Sequence, residues 1–471
     1  MAGGPQDRTD PIGKPVPMNL HIGSDRQLLF DDLWIEDSED VTRRLHSPVR
    51  REIAIAAENP WEQGGVSYMV AEAEQEGYRA WYRCDCEMPP TDRRQPLIAH
   101  ARSVDGIHWE KDPVGLLEFE GSTANNLIWT GPGNNLSPFR DDAPDIPADE
   151  RYKGIVRAKQ VYALASPDGF HWKHLQDEPI LTEQPFDSHN IAFRDPWTGK
   201  YVIYARGVGG RGDFKGGVRW IRRFLSDDFR NWDEGQLIDV GFEPDEHLYT
   251  NACVPYERAP GTYLMFPSRF VKEREPIPDW EYGPGVNDIT FLASRDGLHF
   301  DYSFREAFVR PGPDPDNWHE RAIYMERGIL QTSPTEISMF GMENWRMPGV
   351  RIRRYSLRTD GFVSVNAGFA GGTFTTPVFT FEGDQLEVNY STSAVGAIGI
   401  ELQQADGTPI PGRTLADAGD VYGDEVDGVY AWNGASDVSA WAGKPVRMRV
   451  TLKDADLFAF GFRRHRRHFG A

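Results

Sequence analysis

The chain is poor in cysteine, in long apolar runs and in positive charge. Its three cysteines, Cys84, Cys86 and Cys253, cannot make a disulfide framework, and a lone Cys-x-Cys lacks the second ligand pair of a structural zinc. They read as ordinary reduced thiols, and no metal or other cofactor is expected. No apolar stretch approaches the roughly 18–20 residues of a membrane-spanning helix, so no crossing of that kind is expected. Lys and Arg number 51 against 72 Asp and Glu, a formal net charge of -21. That balance disfavours nucleic-acid or anionic-membrane partners, because phosphate binding depends on clustered cations. The one basic cluster, RRHRRH at residues 463–468, reads as a solvated tail. The opening MAGGPQDRTDPIGKPVPMNLHIG lacks the basic start and apolar block of a secretory signal. A cytoplasmic location is therefore the expectation, with a trimmed secretion signal as the alternative. Long amphipathic helical patterns are scarce as well.

What the chain has in quantity is a repeat. SVDGIHW at residues 103–109 returns as SPDGFHW at 166–172, as the looser SDDFRNW at 226–232 and as SRDGLHF at 294–300. The aspartates Asp105, Asp168, Asp228 and Asp296 are 63, 60 and 68 residues apart, and Asp360 in TDGF follows 64 residues later. Before the copies come runs that alternate aromatic and β-branched residues, such as YRAWYRC, YVIYARG and NDITFLA. A period of two signals strands with one buried face. Asp-Gly supplies the turn, since Gly accepts positive φ and Asp bonds its own backbone. Four strands of five to eight residues plus turns fill about 60 residues, the content of one propeller blade.

The expected fold is all-β, with four parts. Residues 1–24 form an N-terminal extension, and 25–368 a five-bladed β-propeller in which QLLFDDLWIE, residues 27–36, closes the ring against the last blade. Residues 369–462 form a β-sandwich, whose strand patterns come at about ten-residue spacing without the long period. Residues 463–471 are the basic tail.

The order of LFDD, NPWE, RYK, SPDGFHW, FDSHN, GKYVIYAR, LYTNA, SRDGLHF, TDGF and KDADLFAF over residues 25–462, on a propeller-plus-sandwich plan, resembles the invertase, fructanase and arabinanase group of glycosidases. The resemblance implies a glycoside hydrolase with its active site in the propeller's central funnel, a carbohydrate partner, and a furanoside substrate such as an arabinofuranoside or fructofuranoside. Glycoside hydrolysis generally asks for two carboxyl groups, expected where innermost strands begin. Three acids fit: Asp187 in PFDSHN, Glu336 in TSPTEISMF and Glu62 in NPWEQ; blade five also offers Glu326 in YMERG. Asp187 is followed by His189 and Asn190, an acid, imidazole and amide gathered before a strand. Glu336 opens an apolar strand, and Glu62 is near the first-blade position where the resemblance implies an Asp.

Trp61 offers a ring to stack on a sugar. Asn125 and Asn126 stand where the second-blade acid would be, and amides hold hydroxyls without charge. Asp32, His189, Arg206, Arg222 and Asn251 complete the expected substrate contacts. Arg194-Asp195-Pro196 matches the invertase RDP but falls in the third blade and reads well as a β-turn. The Glu-Cys acid motif of that group is replaced by Asn251 and Cys253. For each acid the bland alternative is structural: a turn cap for Asp187, packing beside a Trp for Glu62, and an arginine pair for Glu336. Two other functions fit the same chain. One is a non-catalytic carbohydrate binder, which needs no converging acids. The other is a propeller-type glycoside phosphorylase, for which residues 219–223 hold arginines for a phosphate pocket.

Overall fold

The computed structural model describes residues 20–87, 96–182 and 185–464; most of the expected N-terminal extension and basic tail lie outside the described residues. Two compact units are present. Of the described residues, one unit comprises those within Ser47–Pro255 and Gly261–Leu357, and the other comprises those up to His46, Tyr256–Pro260 and those from Arg358 on. Among the described residues, helix is confined to Leu415–Ala418 and single-turn segments, and no helix is long and apolar enough to cross a membrane.

The first unit is a five-bladed propeller of antiparallel sheets. Blade one contains Gly65–Ala73, Tyr78–Asp85, Pro96–Ser103 and Leu127–Trp129. Blade two contains Asn134–Arg140, Tyr152–Arg157, Val161–Ser166 and Lys173–His174. Blade three contains Ile191–Arg194, Tyr201–Phe214, Gly217–Ser226 and Gln236–Leu237. In blade four the long strands are interrupted midway, leaving one ladder of His247–Leu248, Ser268–Val271 and Val286–Ile289. A second ladder holds Val254–Pro255, Tyr263–Met265, Leu292–Ser294 and Phe300–Asp301. Blade five contains Tyr324–Met325, Glu336–Glu343 and Arg351–Arg358.

Period-two alternation explains how blades stack. Along Tyr78–Asp85, Ala80, Tyr82 and Cys84 enter a core shared with Phe340 and Ile352 of blade five. Trp81 faces the other way, into a core shared with Leu136 and Leu164 of blade two. Each second strand thus feeds two interfaces, as a strand buried on both faces should.

The repeated heptads are the clamps between blades. They join the third and fourth strands of blades one to four. Asp168 Oδ1 accepts from the backbone N–H groups of Phe170 and His171, both at 2.9 Å, and Ser166 Oγ accepts from Gly169 N–H. The Gly169 carbonyl in turn accepts from Trp81 Nε1 of the preceding blade at 2.8 Å, and the Gly297 carbonyl accepts from the Tyr204 hydroxyl in the same way. Gly169 has φ +79, and a Cβ there would lie 2.5 Å from Arg79 Nη1, which explains the glycine. In the looser copy Phe229 takes φ 62, and its ring fills the core beside Phe139 and Tyr201.

Ring closure differs from the expectation. The outer strand of blade five is Val49–Ala56, which pairs antiparallel with Arg351–Arg358. Residues 27–36 do not join blade five: Gln27–Leu28 pairs with Phe460 and Ala459, and Leu29 and Trp34 belong to the core of the other unit. Their apolar side chains fit that core, whereas Val49–Ala56 alternates and buries Ile55 against blade five. Asp360, expected to end blade five like the other repeats, also lies in the second unit. It is buried there in contact with Arg26, Tyr256 and Arg258.

The second unit is built on two long strands, Gln385–Gln404 and Val446–Arg463. Their pairing is irregular between Thr392 and Ala397, opposite Asp454 at φ 41. Before this bend Val446–Arg463 pairs with Gly372–Thr375; after it, with Val363–Ala367 and Gln27–Leu28. The two halves thus form two layers over one core that includes Trp34, Phe379, Trp432 and Phe460. The sandwich therefore takes in residues 25–46 and 358–368, which were expected in the propeller.

Candidate functional site in the propeller funnel

The first strands of blades one and two carry the same irregularity. Their ladders slip between Ser67 and Val70 and between Asn134 and Ser137, and Tyr68 (φ 53) and Asn135 (φ 58) adopt left-handed backbone. Bulges re-aim side chains and recur beside active sites. The Tyr68 conformation is held by Glu326, whose Oε1 accepts the Tyr68 N–H at 2.9 Å. Tyr68 is thereby placed against Tyr324 of blade five, ring centroids 5.9 Å apart and planes 18° apart. Tyr324 stacks in turn on Tyr249 of blade four at 5.4 Å and 8°. His189 of blade three lies 5.0 Å from the Tyr68 ring. Four blades thus contribute to one aromatic floor.

Around this floor stand Arg83, Arg157, Arg206, Arg219, Arg321 and Arg346. Arg83 lies 5.9 Å from the Tyr68 ring, and Arg206, Arg219 and Arg321 lie 4.4, 5.8 and 5.9 Å from Tyr249. Carboxylates answer only some of them. Asp187, its side chain 59% exposed, pairs with Arg157 at 3.4 Å, and buried Asp85 pairs with Arg83 at 3.0 Å. Glu320 pairs with Arg346 at 2.7 Å and with Arg321. Among the described residues neither Arg206 nor Arg219 has a carboxylate within ion-pair reach. Burial, and then the neighbouring Arg206 and Arg321 guanidiniums, hold Arg219 below the usual arginine pKa. In a chain of net charge -21, the funnel is locally cationic.

Beneath the floor lies a neutral pair. Burial pushes the Glu326 carboxyl well up, and burial together with Arg327 pulls His189 down to about 3. Their closest approach is 3.8 Å, Glu326 Oε2 to His189 Nδ1. Glu326 Oε2, His189 Nε2 and the Tyr324 hydroxyl have no hydrogen-bond partner among the described residues. Two orphaned polar atoms on side chains that approach to 3.8 Å, Glu326 Oε2 and His189 Nε2, indicate a site for water or ligand atoms.

Of the residues singled out in the sequence, the structure brings Asp187, His189, Arg206, Arg219 and Glu326 together here. The others stand elsewhere. Glu62 is sealed from solvent. Its Oε2 accepts from Glu58 N–H and Asn59 N–H and meets Lys111 Nζ at 2.8 Å, and its Oε1 accepts from the Tyr82 hydroxyl at 2.6 Å. It closes a capping box and cannot meet a sugar.

Glu336 pairs with Arg354 at 2.8 Å and Arg51 at 3.5 Å. Met342, six residues further along the same strand, pairs with Tyr324, so Glu336 lies about 20 Å along the strand from the floor at about 3.3 Å per residue.

Trp61 Nε1 donates to Asn126 Oδ1. Asn126 also donates to the Tyr82 hydroxyl and the His100 carbonyl, and Asn125 donates to the Leu117 carbonyl. These groups tie blade one to its own loop. Arg222 donates to the Gly235 carbonyl and Asn251 to the Tyr204 carbonyl, and Asp32 belongs to the second unit, paired with Arg43. Asp195 caps a turn, accepting from Trp197 N–H and the Thr198 hydroxyl.

The tyrosine floor and most of the arginine ring went unread in the sequence, although a signal exists. Tyr78-Arg83, Tyr152-Arg157 and Tyr201-Arg206 repeat one spacing, YRAWYR, YKGIVR and YVIYAR, at the same place in the second strands of three consecutive blades. Among the described residues, no three His, Cys, Asp or Glu side chains gather as a metal site.

Residues 75–254, from the second strand of blade one into blade four, match the glycosyl hydrolases family 32 N-terminal domain. The propeller is of glycoside hydrolase type. No curated protein matches the chain in sequence.

Among solved structures, the propeller-and-sandwich chain is similar to a glycoside hydrolase family 43 arabinoxylan arabinofuranohydrolase from Bacillus subtilis. Identity is 14%, 86% of this chain and 96% of that chain are covered, and the TM-score is 0.44. It is also similar to an N-acetylgalactosamine deacetylase from F. plautii (15% identity, 69% and 97% covered, TM-score 0.43). A third likeness is to a structure from the family 130 mannoside phosphorylases and glycoside hydrolases (13% identity, 70% and 96% covered, TM-score 0.41). Likeness at this level says nothing about what the glycosidase-type funnel acts on.

Proposed function

We propose that this protein cleaves a glycosidic bond in the propeller funnel, with Asp187 as the carboxylate that acts directly on the bond. The reading is carried by one observation: Asp187, His189, Arg206 and Glu326, from two blades, converge on the stacked Tyr68-Tyr324-Tyr249 floor, to which blades one, four and five contribute the tyrosines. The buried tyrosine stack fixes the surrounding polar groups in place, and the rim acid is open to solvent. Asp187 and Glu326 have the opposed environments that two-carboxyl chemistry uses. One is exposed beside Arg157, and the other is buried and held as the neutral acid. Glu326 serves as the second carboxyl: its proton reaches the leaving oxygen through water at the orphaned Glu326 Oε2 and His189 Nε2 atoms, while a rim water that gives its proton to Asp187 bonds to the anomeric carbon as the glycosidic bond breaks. Glu62 and Glu336 have no part in this scheme.

The family 32 match keeps furanosides in the first test panel, with arabinofuranosides and fructofuranosides beside acidic oligosaccharides. Reducing-end release by the wild-type protein should fall at least 10³-fold in Asp187→Asn, with an unchanged unfolding midpoint. Turnover in Asp187→Asn within tenfold of wild type would remove this residue from the chemistry. A second reading, glycosyl transfer to phosphate, is favoured by the unpaired guanidiniums, and would appear as turnover that requires phosphate.

A further inference from the structure

We propose that Arg206, Arg219 and Arg321 form an oxyanion subsite over Tyr249, so that this funnel takes a negatively charged ligand. The inference rests on the reading of the funnel as the ligand site and names what it admits. The anion is either the carboxylate or sulfate of an acidic sugar unit, or phosphate acting as glycosyl acceptor; the shared chemistry is a compact group with two or more negatively charged oxygens.

The decisive residue is Arg206. It is 5% exposed, and its Nε and Nη2 have no acceptor among the described residues. Its guanidinium carbon sits 4.4 Å from the Tyr249 ring centroid. Stacking on a ring uses the face of the guanidinium and leaves its N–H edges free to grip an oxyanion in bidentate fashion. A structural role for Arg206 would fill those edges with carbonyls or a carboxylate, as Arg358 and Arg258 are filled elsewhere in the chain.

Arg219 repeats the pattern. Its Nη1 approaches only His247 Nδ1, at 3.4 Å, and that nitrogen already accepts the Arg219 backbone N–H at 3.0 Å. Asp213, the nearest acid on that side, is engaged by Lys272 and by His247 Nε2 at 3.1 Å, so it does not neutralise Arg219. Placing two unanswered guanidiniums against each other in a half-dry pocket is unfavourable by both desolvation and repulsion. Such an arrangement is kept where a ligand supplies the missing negative charge. Arg321 completes the wall at 5.9 Å from the same ring, half-answered by Glu320.

The test is calorimetric titration of the full chain with galacturonate and glucuronate disaccharides, their neutral counterparts and inorganic phosphate. Wild type, Arg206→Met and Arg219→Gln are compared. Charged ligands are expected to bind, neutral counterparts more weakly. Each substitution should weaken charged-ligand binding about 30-fold or more, while the unliganded melting temperature of Arg206→Met stays at or above that of wild type because an unpaired buried charge is gone. Arg219, only half-buried, serves if Arg206→Met does not fold. Binding of the acidic disaccharide identifies a charged sugar, whereas phosphate binding with phosphate-dependent turnover identifies the acceptor.

The proposal is overturned if no charged ligand binds at millimolar concentration, or if charged and neutral sugars bind alike and both variants stay within twofold of wild type. Its failure is separable from that of the cleavage reading. Arg206-dependent binding of an acidic sugar without release of any product sustains the subsite and sinks cleavage. Asp187-dependent cleavage of a neutral glycan by Arg206→Met at the wild-type rate does the reverse.

Discussion

Replacing Glu62 by Gln separates a structural acid from a catalytic one. Glu62 Oε2, itself sealed from solvent, serves two backbone N–H groups at 3.0 Å, Asn59 Nδ2 at 3.1 Å and the Lys111 ammonium at 2.8 Å. Glutamine keeps one oxygen, so most of the capping box can persist, but the negative charge opposite Lys111 is lost. Lys111 is largely buried and would keep only the Ala56 carbonyl and, at 3.9 Å, the exposed Glu58 carboxylate as near partners. Breaking a buried pair by removing one partner costs about 3–5 kcal/mol. The oxygen that glutamine retains and the residual exposure of Lys111 argue for the lower end, about 3 kcal/mol. For a unit this large that lowers the melting midpoint by roughly 6 °C.

Urea unfolding followed by tryptophan fluorescence should show the loss, with cleavage per folded molecule unchanged. Glu336→Gln is the control. Its partly exposed pairs with Arg354 and Arg51 predict a change of about 1 kcal/mol or less, again with cleavage intact. A Glu62→Gln protein that unfolds at the wild-type urea concentration yet loses cleavage 100-fold would refute the reasoning, because it would make a sealed carboxylate part of the chemistry.

Two further perturbations test the floor and the clamps. Glu326 has a folded pKa raised by burial, so from about pH 4.3 upward the unfolded chain releases this proton first and stability falls as pH rises towards the folded value. Glu326→Gln imitates the neutral acid and can still accept the Tyr68 N–H. Its melting temperature should lose that decline between pH 5 and 9, and an identical slope in both proteins would show that Glu326 is ionised in the fold. Gly169→Ala puts a methyl group 2.5 Å from Arg79 Nη1 at φ +79. It should cost about 2 kcal/mol or more by urea unfolding, while Gly261→Ala, at φ +77 with open space around it, should cost about 1 kcal/mol; equal losses would mean the blade clamp does not press on its neighbour.

The blades were legible in the sequence because what makes them is local. Alternation sorts Tyr82 and Trp81 to opposite interfaces wherever the strand is placed, and Ser-x-Asp closes the same turn four times from contacts within four residues, with Gly after the Asp three times and Phe229 once. Ring closure was not legible in the same way. Residues 27–36 and Val49–Ala56 both read as strands, and only the fit of Trp34 to one core and Ile55 to another decides which of them completes blade five.

The site was half legible, for a related reason. A search for acids before inner strands finds Asp187, but it also selects Glu62 and Glu336, whose partners Lys111 and Arg354 are 49 and 18 residues away and carry no local mark. Tyr68 escapes because its role depends on a bulge and on an acceptor 258 residues later. The arginines are the instructive case. Tyr78-Arg83, Tyr152-Arg157 and Tyr201-Arg206 place one cation at equivalent points of three successive second strands, so a single spacing, multiplied by the blade repeat, aims three guanidiniums at the same region. Fold repetition thus yields charge convergence without any contiguous basic motif. That is how a chain carrying 21 excess negative charges can still present a cationic funnel to its ligand.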